Sequence, residues 1–146
     1  MRPAVVLDVM AARWMADSPA PRFDAIYCAN MLHISPWATC AGLMRGAARY
    51  LTNKGMLITY GPYMERDVPT SPGNQNFDES LRERNPDWGI RRLEHVTHEA
   101  ELAGFEKSVP GSMSNNGKGS ANDAIRFRGL QLGQSLLQDR KSTRLN

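Results

Sequence analysis

FDAIYCANMLHISPW, Phe23–Trp37, is the stretch whose reading decides the fold. Its first part, Asp24–Asn30, is a short apolar run that ends on a polar residue, with His33 close behind. A run of that length suits a strand buried on both faces, as in a parallel sheet. Its last part, Ser35-Pro36-Trp37, reads as a helix start, because serine can cap and proline fits the first turn. The helix is expected over 37–50. Cys40, Leu43, Met44, Ala47 and Leu51 recur at helical spacing, and Arg45 and Arg49 fall on another face. Asn53-Lys54-Gly55 reads as a turn, and Gly55–Tyr60 as the next strand, broken by Gly61-Pro62. Upstream, the apolar run Ala4–Leu7 reads as an earlier strand ending at Asp8. Strand, strand, helix, strand points to an α/β layer with parallel strands flanked by helices.

Downstream the signals weaken. Residues 63–76 are rich in Pro, Gly and Asn and read as a long loop, of the kind that forms a lid or a substrate loop. Phe77–Arg84 reads as a helix ended by Asn85-Pro86. A turn around Trp88 is expected to bury that ring. Leu93–Ala103 is a further helix closed by Gly104, and Phe105–Val109 can begin another strand. After Pro110 the composition turns polar and rich in Gly, Ser and Asn, and Ala124–Leu137 shows no clean period. The expected organisation is one domain over 1–110 and a polar, disordered or artefactual tail over 111–146. The last eight residues, DRKSTRLN, resemble a translated sequencing adapter.

Charge narrows the function. The chain of 146 residues carries a net charge of +3. Residues 111–146 hold 6 basic and 2 acidic residues, so residues 1–110 hold 12 basic and 13 acidic ones. The basicity sits in the tail, which argues against a specific nucleic-acid surface. No apolar run approaches the ~18 residues of a membrane span, and no signal-peptide pattern opens the chain. A cytoplasmic protein without a membrane partner is expected. The 2 cysteines, Cys28 and Cys40, show no metal-ligand spacing, so reduced core thiols and no metal site are expected. Phosphate-binding glycine loops and a nucleophile elbow are absent from the sequence, so a nucleotide triphosphatase and a hydrolase have no support.

In open α/β sheets ligands bind beyond the carboxyl ends of the strands. Asp8, Asn30, His33 and Tyr60 stand at those ends. Asp8 can accept hydrogen bonds or cap its own loop. Asn30 offers both a donor and an acceptor. His33 can act as a base near neutral pH, or simply hold its loop to the helix. Tyr60 can close a pocket. His95 and His98 lie on a polar helix face and are expected to be solvated.

At FDAIYCANMLHISPW the chain resembles the fourth-strand motif of class I methyltransferases. LDV (Leu7–Val9), GLMRGAAR (Gly42–Arg49), YGPY (Tyr60–Tyr63) and TSPGNQNFDESLRERNPDWGIRRLE (Thr70–Glu94) extend the likeness over about Val5–Phe105. It is closer to the family that includes methyltransferase-like protein 26 and its bacterial relatives. The resemblance implies a partial Rossmann-like fold, with a mostly parallel sheet, that binds S-adenosylmethionine. It places Asp8 and Val9 near the adenine, and Ala29, Asn30 and Met31 beside the methionine and sulfonium. It puts His33 and Tyr60 on the substrate side as catalytic candidates, with Asn74, Asn76 and Phe77 on a covering loop. A small-molecule methyl acceptor of unknown identity is favoured. The family opens with a strand and Gly-rich turn that this chain lacks, and closes with a phrase like MPANN, of which Met113–Asn116 is a faint echo. A fragment with half a pocket and self-association through an exposed sheet edge is therefore expected. The alternative is a non-catalytic methyltransferase-like domain with lost or weak cofactor binding.

Overall fold

A computed structural model describes residues 2–108 and 123–129. Strand β1 spans Phe23–Ala29, and a single 3₁₀ turn follows at Met31–His33. Helix α1 covers Ala38–Tyr50 and leads directly into strand β2, Leu51–Gly61. Helices α2, Pro72–Arg84, and α3, Leu93–Leu102, come next. Strands β3, Phe105–Ser108, and β4, Asp123–Gly129, complete the described elements.

The strands form a mixed sheet in the order β1-β2-β4-β3. β1 and β2 are parallel, so their carboxyl ends share one edge, where Ala29 pairs with Tyr60. β4 runs antiparallel to both β2 and β3. The pairing jumps from Phe23–Leu51 to Ala25–Met56. The expected Asn53–Gly55 turn is thus an excursion inside β2 that the neighbouring strand steps across.

Side-chain parity sets the layers. Leu57 and Thr59 of β2 and Phe127 of β4 are buried on one face. Leu43, Met44 and Ala47 of α1 and Val96 and Ala100 of α3 complete the core there, with Ile26 and Cys28 of β1 packed against it. The other parity of β1 carries Phe23 and Tyr27, which are 38% and 63% exposed. Both cysteines are free thiols, and burial pushes Cys40 up to about 12 and Cys28 upward as well.

Several expectations are corrected. Ala4–Leu7 forms no strand: Val6 is fully exposed and Val5 is 65% exposed. An apolar run becomes a strand only where another strand takes its hydrogen bonds, and none among the described residues does so. Residues 123–129, assigned in the sequence to a tail, form β4 between β2 and β3. Phe127 sits at the centre of the core, while the intervening Arg126 and Arg128 are exposed. This alternation is the half-buried strand pattern, with the two arginines as its solvent-facing half. The remainder of residues 111–146 lies outside the described residues.

The loop expected over 63–76 ends early, because α2 begins at Pro72. The Ser71 hydroxyl accepts the Asn74 N–H at 3.2 Å, with proline in the first turn. Asn74, Asn76 and Phe77 therefore lie on a helix. Ser35 does not cap α1. Its hydroxyl donates to the Met31 carbonyl at 2.6 Å and meets the Thr39 hydroxyl at 2.6 Å. Trp88 is half-buried, with the Arg84 guanidinium 5.6 Å from its ring centroid. Among the described residues no helix is long and apolar enough to cross a membrane.

Candidate functional site

The carboxyl edge of the β1/β2 pair gathers four of the residues singled out in the sequence. The Asn30 N–H donates to the Tyr60 carbonyl at 2.8 Å, which closes the strand pair. Asn30 itself takes φ 59°, a left-handed conformation that asparagine tolerates better than most residues. This turn directs the chain off the sheet and leaves Asn30 and Ala29 exposed at its rim. Met31 follows and packs partly on the core, and Tyr60 is half-buried.

His33 lies beneath this edge and is only 1% exposed. Its Nδ1 accepts the Arg91 N–H at 3.0 Å. Its carbonyl accepts the Gly89 N–H at 2.9 Å, and its ring meets Tyr63 edge-on at 5.0 Å. With Nδ1 accepting, the neutral ring carries its proton on Nε2, which is buried and has no partner among the described residues. Burial, helped by the Arg91 guanidinium, lowers the His33 pKa from 6.5 to about 4. The ring is a neutral joint between two loops.

A pH dependence follows from that joint. Above pH 6.5 both folded and unfolded chains hold a neutral ring, and the joint contributes fully. Between 6.5 and about 4 only the unfolded chain takes up the proton, so stability falls as pH drops through that window. Below about 4 this group adds no further slope. The total is on the order of 3 kcal/mol. Urea denaturation at pH 7.5, 6 and 5 should show a steeper acid loss in the wild type than in His33→Gln; parallel slopes would exclude the joint.

The other candidates are placed elsewhere. The Asp8 carboxylate accepts the Met10 N–H at 2.9 Å within its own turn. Val9 packs toward α1, where a Cβ on Gly42 would lie 2.9 Å from the Val9 carbonyl oxygen. Asn76 and Phe77 are exposed on α2. Helix α2 is joined to the edge indirectly: Asp78 Oδ1 accepts the Ile90 N–H at 2.8 Å, next to the Gly89 contact with His33. His95 and His98 are exposed, as expected. A cavity of about 460 Å³ opens elsewhere, lined by Glu65, Arg66, Glu94, Thr97, His98 and Lys107 among others. None of the candidate residues lines it. Among the described residues no group of His, Cys, Asp and Glu could hold a metal.

Sequence reasoning passed over two participants, Arg91 and Asp78, and placed Gly61 only as the end of its strand. The segment Arg84–Arg92 carried the signal, since its Asn-Pro-x-Trp-Gly phrase is the most specific part of the resemblance. It gave no indication of which side chain faces inward.

The family described as protein of unknown function (DUF938) matches residues 1–121. The chain belongs to DUF938. Solved structures then show what kind of fold this DUF938 chain has. It is similar to human N-acetylserotonin methyltransferase in complex with SAM, at 18% identity and a TM-score of 0.59, over 79% of this chain and 32% of that one. It is similar to the mitomycin 7-O-methyltransferase MmcR, at 14% identity and a TM-score of 0.58, over 75% of this chain and 30% of that one. It is also similar to a pericyclic reaction enzyme, at 11% identity and a TM-score of 0.61, over 78% and 28% respectively. The DUF938 chain thus spans about a third of the length of these structures. It has the mixed sheet and flanking helices of a partial, Rossmann-like methyltransferase fold, and the pericyclic enzyme shows that this fold also hosts other chemistry.

Proposed function

We propose that this chain contributes one wall of an S-adenosylmethionine site in a methyltransferase acting on a small molecule. The observation that carries the reading is the β1/β2 carboxyl edge, where Asn30 leaves the sheet in a left-handed turn beside Ala29, Met31 and Tyr60. The edge stands where ligands of open α/β sheets bind. Its chemistry fits the cofactor: Ala29 and Met31 offer small and apolar surface to a methionine chain, and the exposed Asn30 amide offers both hydrogen-bond senses to its polar groups. The likeness to a methyltransferase solved with SAM supports it, as does the resemblance of Phe23–Trp37 and Thr70–Glu94 to the fourth-strand and loop segments of methyltransferases.

The sulfonium cofactor, when bound, supplies an already activated methyl group. The residues of this chain then need only to hold and orient the partners. Tyr60 borders the acceptor side of the edge. His33 is buried, with Nδ1 engaged, so its part is to fix the loop rather than to take a proton. Phe77, 40% exposed on α2, offers an apolar surface to the acceptor, with Asn74 and Asn76 on the same helix.

Calorimetric titration with S-adenosylmethionine tests the reading. Saturable binding in the micromolar range is expected, about −8 kcal/mol. Asn30→Gly keeps the left-handed turn and removes the amide, so it should weaken binding by about 1–3 kcal/mol without destabilising the chain. Asn76→Ala should leave cofactor affinity unchanged. No wild-type binding at millimolar ligand would sink the proposal.

A second reading is a methyltransferase-like domain that holds the cofactor weakly or not at all. It is favoured by Asp8, whose Oδ1 accepts a bond within its own turn, and by the seclusion of His33. Self-association through β1 also remains our proposal. Sedimentation should show mass rising with concentration, and a concentration-independent monomer would exclude it.

A further inference from the structure

Residues 65–91 form an excursion whose two ends meet. The Met64 N–H donates to the Arg91 carbonyl at 3.0 Å, and the Leu93 N–H donates to the Met64 carbonyl at 2.8 Å. The excursion carries α2, of which Leu81 alone is buried. On the other side of the β1/β2 edge stands the β1–α1 loop with Asn30 and Met31.

Arg91 joins the two. Its Nε donates to the Leu32 carbonyl at 2.9 Å, and its Nη2 donates to the Ser35 carbonyl at 2.7 Å. Nη2 also reaches the Asp87 carbonyl at 2.7 Å, back within the excursion. Its guanidinium lies 5.6 Å from the Trp37 ring centroid, and its backbone N–H holds His33. Gly89 and Asp78 extend the connection to α2. Among the described residues no carboxylate stands at ion-pair distance from Arg91. The side chain is used as a rigid fork on main-chain carbonyls, a geometry that lysine does not reproduce.

We propose that Arg91 is a positioning residue that couples the β1–α1 loop to the α2 excursion, so that a ligand held on the loop also orders the excursion. The identity of that ligand rests on the cofactor reading above. Coupling of this kind is reciprocal: the loop ligand seats α2, and an acceptor under α2 tightens the loop.

Amide exchange on the full chain tests the clamp, in wild type, Arg91→Ala and Arg91→Lys, with and without S-adenosylhomocysteine. Without ligand, Arg91→Ala should speed exchange about tenfold at His33, Ile34, Ile90 and along α2 together. Leu57–Thr59 in β2 should stay protected. Arg91→Lys should behave like Arg91→Ala, because one ammonium cannot span three carbonyls; it also keeps the test open if the alanine variant does not fold. With S-adenosylhomocysteine, the wild type should gain protection along α2 and both variants should not. An even rise that includes β2, a rise confined to one of the two segments, or full rescue by lysine would each overturn the clamp. Failure of the ligand to protect Asn30–Ile34 in the wild type would overturn the cofactor reading, and the ligand-free exchange would still decide the clamp.

Discussion

Gly61→Ala is expected to lose about 2–4 kcal/mol of folding free energy. A Cβ at position 61 would stand 2.2 Å from His33 Nε2 and 2.7 Å from its Cδ2. Neither side can yield easily. Gly61 ends β2 and is buried, and the imidazole is pinned by the Arg91 N–H and by Tyr63. Denaturant titration of Gly61→Ala, His33→Ala and the double variant gives the decisive comparison. The double variant should be more stable than the sum of the single losses, because removing the ring removes the clash. Additive losses would mean that the two residues are not in contact.

Phe127→Ala should be at least as costly, about 3–5 kcal/mol. The ring is fully buried, pairs across from Leu57 on one side and Lys107 on the other, and packs with the α1 and α3 side chains. Arg128→Ala, one residue on and exposed, should change stability by less than about 0.5 kcal/mol. The contrast between neighbours reads the strand directly: a cost below about 0.5 kcal/mol for Phe127→Ala would mean that residues 123–129 do not lie in the sheet.

That strand marks where the sequence stopped being legible. The parallel β1/β2 pair and the helix between them could be read from Asp24 to Tyr60, because a continuous apolar run and a 3.6-residue stripe are local signals. β4 was passed over although Ile125 and Phe127 alternate with two arginines, because that alternation spans only a few residues and a polar stretch precedes it. Its place between β2 and β3 depends on long-range pairing, to which a local pattern is blind. Ala4–Leu7 failed in the opposite direction. Its composition is that of a strand, but composition supplies no partner. The same division runs through the site. Asn30 and Tyr60 were legible from their positions at strand ends, and the structure joins them by a hydrogen bond. For His33 the sequence left two readings, a base or a residue that holds its loop, and the partner that decides for the second, Arg91, is 58 residues away in sequence. Helix α2 was legible from Phe77 to Arg84, and its first turns were not, because Ser71-Pro72 was read for its loop composition rather than as a cap and first turn.

The three tryptophans are distributed in a useful way. Trp14 lies parallel to the Tyr50 ring at 5.6 Å, where the amino-terminal segment meets the end of α1. Trp37 lies under the Arg91 guanidinium, and Trp88 lies under that of Arg84 at the foot of α2. Each ring therefore occupies a different joint of the molecule. With the other two replaced by phenylalanine, the emission of each becomes a separate optical channel: Trp14 for docking of the amino-terminal segment, Trp37 for the Arg91 contacts and Trp88 for the end of α2. The order in which the joints open can then be timed in a stopped-flow instrument without an added label.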